Sequence, residues 1–168
     1  MPTPDTPLPF DPIAEARRNW EAQGWGAVDA MAAATSITRA HQILLKRIDA
    51  TLEPFGLVFS RFEALALLSF TRTGAMPMGR MGERLQVHPT SVTNTVDRLE
   101  AEGLVTRIPH PTDRRTTLVE ITPGGRTLVA TAAAALGDVA FGLNGMETPG
   151  LAAITSSLRS LRSAAGDF

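Results

Sequence analysis

Cysteine is absent from all 168 residues. Disulfides, thiolate metal sites, cysteine nucleophiles and thiol-based redox sensing are therefore excluded by chemistry, and the absence suits a reducing compartment. No window approaches the roughly 20 apolar residues that cross a bilayer. The first ten residues hold four prolines and lack the basic flank and apolar stretch of a secretory signal. A soluble, unexported, cytoplasmic chain with no membrane association is expected. Enzyme chemistry is equally hard to find. The three histidines, His41, His88 and His110, fall in separate elements without metal-ligand spacing, and neither a Gly-x-Ser-x-Gly nor a phosphate-binding glycine loop occurs. Neither catalysis nor a cofactor is expected.

The length suits one domain with extensions. Formal net charge is −1, but it is unevenly spread. Residues 1–71 carry six Lys/Arg against eight Asp/Glu, residues 72–115 seven against five, and residues 116–168 three against four. The middle is net positive. That agrees with a nucleic-acid-facing segment without establishing one, since a solvated charged surface counts the same way.

Residues 1–10 read as a disordered tail. Asp11-Pro12 is an N-cap followed by proline at the first helical position, opening a helix to about Gln23 that Gly24 and Gly26 end. From Ala27 to Glu53, the residues Ile37, His41, Leu44, Leu45, Ile48 and Leu52 form one wide apolar stripe at helical spacing. Pro54 and Gly56 stop that helix. Ser60 with Glu63 three residues on predicts a capping box for the next, which carries Phe62, Leu65, Leu68 and Phe70. A turn at Thr73-Gly74 precedes a short helix, Met78 to about Leu85, and a tight break at Gln86-Val87-His88 separates it from a second helix, Pro89 to about Glu102, closed by Gly103. Two helices joined so tightly make a helix-turn-helix. Two strands follow, Leu104 to Ile108 and Thr116 to Ile121, around a polar tip at residues 110–115. Pro123 opens an alanine-rich helix to about Phe141, and Thr148-Pro149 a last one to about Ala164.

In the helix from Pro89, the apolar Val92, Val96 and Leu99 share one face. The opposite face and its edge present Thr90, Ser91, Asn94, Arg98 and, less centrally, Thr93. Hydroxyls and helix N-terminal amides approach phosphates closely, and Asn and Arg read base edges in bidentate fashion, so this face suits the major groove of double-stranded DNA. A merely solvated polar face is the competing reading. The tip of the strand pair bears on the choice: Arg114 and Arg115 are placed to reach an adjoining minor groove, and Asp113 can orient one of them through a charge-assisted pair. DNA would then be met by the segment from about Gly79 to Ile121.

The run from Ser60 to Arg126 resembles the MarR (multiple antibiotic resistance regulator) family. The block from His88 to Val105 is similar to that family's recognition helix and first wing strand, Asp113-Arg114-Arg115 to its D-x-R wing signature, and Leu118 to Gly125 to its L-x-x-I-T-x-x-G continuation. The resemblance implies a mainly α fold with a small β-wing, a winged helix-turn-helix lobe over about 55–122, and a dimerisation region from helices 27–53 and 123–165, with 11–26 as an extra amino-terminal helix. It further implies a homodimer on a pseudo-palindromic operator, Arg115 in the minor groove with Asp113 as its organiser, and Pro89, Thr90, Ser91, Thr93, Asn94 and Arg98 at the major groove. Dimerisation agrees with geometry, because one winged helix covers one half-site and paired half-sites about 34 Å apart need two copies.

Members of the family commonly release DNA when a small aromatic or anionic ligand enters a cleft beside the DNA-binding lobe. Trp20, Trp25, His41, Arg61 and Phe62 offer stacking faces, a titratable group and an anion partner for such a ligand. Structural roles compete at each: the tryptophans can pin the amino-terminal helix, and His41 can sit on a core or dimer face. The expectation is a transcription repressor relieved by a ligand; the alternative is a winged helix for protein contact or non-specific nucleic-acid binding without ligand response.

Overall fold

A computed structural model describes residues 7–113 and 115–168. The expected disordered tail falls largely on residues 1–6, outside the described residues. Contacts group the chain into two units, one ending at Lys46 and one running from Arg47 to Phe168.

In the first unit, helix α1 (Pro12–Ala22) opens on Asp11, whose carboxylate accepts the Ile13 N–H at 2.9 Å. The turn into helix α2 (Val28–Leu52) is built on its two tryptophans. Their rings meet edge to face with centroids 4.8 Å apart, and Trp20 Nε1 donates to the Gly26 carbonyl at 2.9 Å. Arg17 reaches across this turn to Asp29 at 2.6 Å, an exposed pair of small energetic weight.

The second unit contains the last turns of α2, helix α3 (Phe59–Ser69), strand β1 (Ala75–Pro77), helices α4 (Met78–Leu85) and α5 (Pro89–Ala101), strands β2 (Val105–Pro109) and β3 (Thr117–Ile121), and helices α6 (Pro123–Asp138) and α7 (Thr148–Ala164). The strands form an antiparallel sheet in the order β1-β3-β2, with Ala75 opposite Glu120 and Val105 opposite Ile121. Strand β1 was not anticipated, because three residues are too few to show alternation. The core runs through Leu52, Leu65, Leu68, Met81, Val96, Leu99, Val105, Val119 and Leu136, all essentially inaccessible. Of the stripe along α2, Ile48 and Leu52 are buried while Ile37 and His41 are exposed.

Three local expectations are corrected. The capping box at Ser60 does not form: α3 starts two residues earlier with Val58 as an N-cap that gives no side-chain bond, and the Asp49 carboxylate of α2 takes the Phe59 N–H at 2.7 Å. A neighbouring carboxylate satisfies the orphan donor and complements the helix dipole, which makes a local cap unnecessary. Phe70 is the C-cap of α3 and 82% exposed, off the apolar stripe. Helix α6 ends at Asp138, short of Phe141, because Ala140 and Phe141 adopt φ of 47° and 52° and cannot continue a right-handed helix.

The entry to α6 ties the sheet to the helices. Thr122 caps α6 by accepting the Gly125 N–H at 3.0 Å, while its own N–H and hydroxyl donate to the carbonyls of Leu104 and Gly103 at 3.0 and 2.9 Å. Helix and strand approach so closely that a Cβ on Gly125 would overlap the Leu104 carbonyl oxygen and sit 2.9 Å from Ile121 Cγ1. Gly125→Ala is expected to destabilise the fold by ~1–3 kcal/mol, the usual range for overpacking a tight site. Thermal denaturation checks this, as a drop of roughly 2–4 °C per kcal/mol for a chain of this size.

Candidate nucleic-acid interface

The turn from α4 to α5 passes through Gln86 in the left-handed region (φ 53°), and Val87 N–H closes it on the Gly82 carbonyl at 3.1 Å. Gly82 is buried where the helices meet; a Cβ there would stand 3.3 Å from Val92 Cγ2. Proline at the first position then starts α5 without wasting a donor, and His88, the N-cap, accepts the Thr90 N–H through its ring. Val92, Val96 and Leu99 are buried, so rotation of the helix is fixed. Pro89, Thr90, Ser91, Thr93, Asn94 and Arg98 are all exposed on the remaining surface. The Thr93 hydroxyl is partly occupied, donating to the Pro89 carbonyl at 3.1 Å.

Between β2 and β3 the wing tip is folded by side chains. Asp113 accepts the Arg115 backbone N–H at 2.9 Å and the Thr116 hydroxyl at 2.6 Å. These bonds, first from Thr116 and then from Arg115, hold its carboxyl below the usual range. Asp113 thus organises Arg115 through the main chain, in place of the expected side-chain pair. The Arg115 side chain is exposed, and Arg114 lies outside the described residues.

Sequence reading missed the residue that joins wing to helix. Arg107 on β2 reaches back to α5, pairing with Asp97 at 2.5 Å and with Glu100, whose other oxygen accepts the Arg107 N–H at 2.9 Å. Two acids three apart on one helical face opposite a strand arginine are the signal that could have found it. A second connection runs from Arg61 on α3 to Glu102 at the end of α5, 2.6 Å. Beside it a polar depression of about 510 Å³ between α3 and α5 is lined by Ser60, Arg61, Ser91, Asn94 and Arg98 among others.

A different cavity, about 640 Å³, lies between α3 and α6. Phe59 and Phe62, stacked with centroids 6.3 Å apart, and Phe70, Val129, Ala133 and Phe141 make it apolar. Glu63 and Arg126 are its ionisable residues. Glu63 is half-buried with no hydrogen-bond or ion-pair partner among the described residues, and burial pushes its carboxyl up from the ordinary range. Of the five ligand candidates, Phe62 lines this cavity and Arg61 does not; Trp20, Trp25 and His41 belong to the first unit. Glu63 was overlooked because its spacing from Ser60 mimicked a cap.

A model of the MarR family matches residues 59–117. Sco5413, a MarR family transcriptional regulator from Streptomyces coelicolor, is 51% identical over 84% of this chain and 99% of its own, with a TM-score of 0.78. The chain belongs to the MarR family. CouR from Rhodococcus jostii RHA1, solved bound to p-coumaroyl-CoA, is 27% identical over 74% of this chain and 87% of its own, TM-score 0.65. The HTH-type transcriptional regulator MhqR of Bacillus subtilis is 32% identical over 89 residues, 53% of this chain and 60% of that one. This chain spans 47% to 62% of the length of the curated relatives it matches. MarR proteins are transcriptional regulators and not enzymes, and α4, α5 and the three-stranded sheet are the family's winged helix-turn-helix. Among the described residues, no helix of this MarR chain is long and apolar enough to cross a membrane.

Two outcomes follow from this geometry. Arg107→Ala strands two carboxylates on α5 and is expected to cost ~1–2 kcal/mol, more than an exposed pair, because a network is lost; amide exchange across β2 and β3 should accelerate along with the fall in melting temperature. For Glu63 the raised carboxyl favours the protonated native state, so its stabilising contribution is complete at low pH and is lost as pH rises through the native titration. Glu63→Gln should therefore melt higher than the parent at pH ~7, with the difference vanishing toward pH ~4.

Proposed function

We propose that this MarR chain is a transcription repressor that binds a pseudo-palindromic DNA operator as a homodimer and releases it when a small, largely apolar ligand fills the cavity between α3 and α6. The observation that carries the DNA reading is the orientation of α5. With Val92, Val96 and Leu99 turned into the core, Thr90, Ser91, Thr93, Asn94 and Arg98 are left exposed, a mixture of hydroxyls, an amide and a guanidinium that suits phosphate contact and base-edge reading in a major groove. Pro89 lets the helix N-terminus approach the backbone. Arg115, with Arg114 beside it in sequence and Asp113 shaping the turn, reaches the neighbouring minor groove.

Homodimerisation is supported by α7, a 17-residue amphipathic helix that buries none of its residues within one copy. Its Ile154 and Leu161 are 43% and 54% exposed, and α2 likewise presents Ile37 and Ile43 at 42% and 44%. A second copy covers such faces and supplies the second half-site. Ligand relief is supported by the cavity, whose stacked phenylalanines suit an aromatic body; CouR was solved with p-coumaroyl-CoA, which carries one. The half-buried Glu63 favours a ligand that brings a hydrogen-bond donor to that wall.

The test is a titration of the purified protein against the duplex immediately upstream of its own coding sequence and a scrambled control, at several salt concentrations. Preference for the upstream duplex that survives physiological salt is expected. Equal, salt-sensitive binding to both sinks the operator reading for that duplex, and no binding even at low salt favours the protein-contact alternative. Arg115→Ala is expected to weaken operator binding by about tenfold or more while leaving the dimer intact; unchanged affinity removes the wing from the interface.

A further inference from the structure

The tripeptide His-Pro-Thr occurs twice, at 88–90 and 110–112, once at the start of the proposed recognition helix and once in the wing. It takes the same local form at both. His88 Nδ1 accepts the Thr90 N–H at 3.2 Å and lies 3.1 Å from the Thr90 hydroxyl. His110 Nδ1 accepts the Thr112 N–H at 3.3 Å, lies 3.4 Å from the Thr112 hydroxyl, and takes the Asp113 N–H as well, at 3.1 Å. The intervening proline has no N–H and a fixed φ, so the next donor in the chain is the one that turns back onto the ring.

We propose that His-Pro-Thr is a backbone clamp used at both DNA-facing tips, and that operator binding draws on both imidazoles in the form that carries its proton on Nε2. A backbone N–H can only donate, so each Nδ1 must present a bare lone pair, and a neutral ring in that arrangement has its hydrogen on Nε2. Capping alone does not call for histidine, since Asn, Asp, Ser or Thr cap a helix with a shorter side chain. What the ring adds is a second donor on its far side. Each clamp also sits directly before groups assigned to DNA. The first sets the opening turn of α5, with Thr90 and Ser91; the second, with the Asp113 carboxylate on the Arg115 N–H, fixes the main chain that carries Arg115. His88 and His110 are thus positioning residues for the groove contacts, and the Nε2–H that each retains, with no protein acceptor among the described residues, is the donor a DNA phosphate would take up.

This inference rests on the operator reading, and two measurements on the full-length chain separate their failures. Long-range proton–nitrogen correlation on the free protein at pH ~7.5 should find Nδ1 bare and Nε2 protonated in both rings. In titrations against the upstream duplex, His88→Asn and His110→Asn, which retain a capping acceptor but lose the outer donor, should each bind about fivefold more weakly. The corresponding alanine variants, lacking both, should lose about 25-fold, with circular dichroism unchanged. A proton on Nδ1 of either ring, or alanine variants that bind as the parent does, overturns the clamp while the operator reading stands. A parent protein that binds neither duplex, with both rings in the expected form, overturns the operator reading and the DNA role of the clamps with it.

Discussion

Val92, Val96 and Leu99 are 3%, 0% and 0% exposed, and because they stand at i, i+4 and i+7 on one rigid helix, their burial fixes the rotation of α5 about its axis. Each such side chain is worth roughly 1.5–3 kcal/mol when fully withdrawn from water. Turning the helix by one residue, about 100°, would expose this set and turn Thr93, Asp97 and Glu100 into the core in its place. That is a loss of several kcal/mol, a large fraction of the total stability of a small domain. The outward face of α5 is therefore a consequence of the core, and its polar composition is free to be chosen for something other than folding.

The wing inherits its position from the same helix. Arg107 binds two carboxylates of α5 and its own strand hydrogen-bonds to Glu100, so β2 is referred to α5 by side chains as well as by the sheet. Thr122 and Gly125 do the equivalent work at the other end of the ribbon, joining β3 and α6 to the end of α5 through the carbonyls of Gly103 and Leu104. A winged helix that must meet two adjacent grooves of one duplex needs helix and strands to keep a fixed mutual geometry, and these contacts supply it without a large sheet.

Elsewhere the second unit departs from an all-apolar, fully filled interior. The cavity between α3 and α6 opens beside the helices that carry α5, and the half-buried Glu63 carboxyl on its wall has no partner among the described residues. Two consecutive left-handed residues, Ala140 and Phe141, bring the Phe141 ring to its wall, and Arg47 binds the Gly142 carbonyl beside them at 2.8 Å. The cavity thus lies between the helix that packs on α5 and the helix that leaves the wing.

Much of this was written in local sequence. The N-cap at Asp11, prolines at first helical positions, Gly103 after α5 and the spacing of Val92, Val96 and Leu99 act over a few residues, so most helices, the helix-turn-helix and the exposed set from Thr90 to Arg98 were legible. Contacts between segments distant in the chain were not. Asp49 capping α3 in place of Ser60, Arg107 reaching Asp97 and Glu100, β1 joining β3, and Glu63 turning to a cavity wall all depend on which surfaces the fold brings together. Short-range hydrogen bonding and hydrophobic periodicity are properties of the chain itself, and they determined the elements and the face each would bury. Long-range pairs and empty space exist only after packing, and the tertiary structure alone decided them.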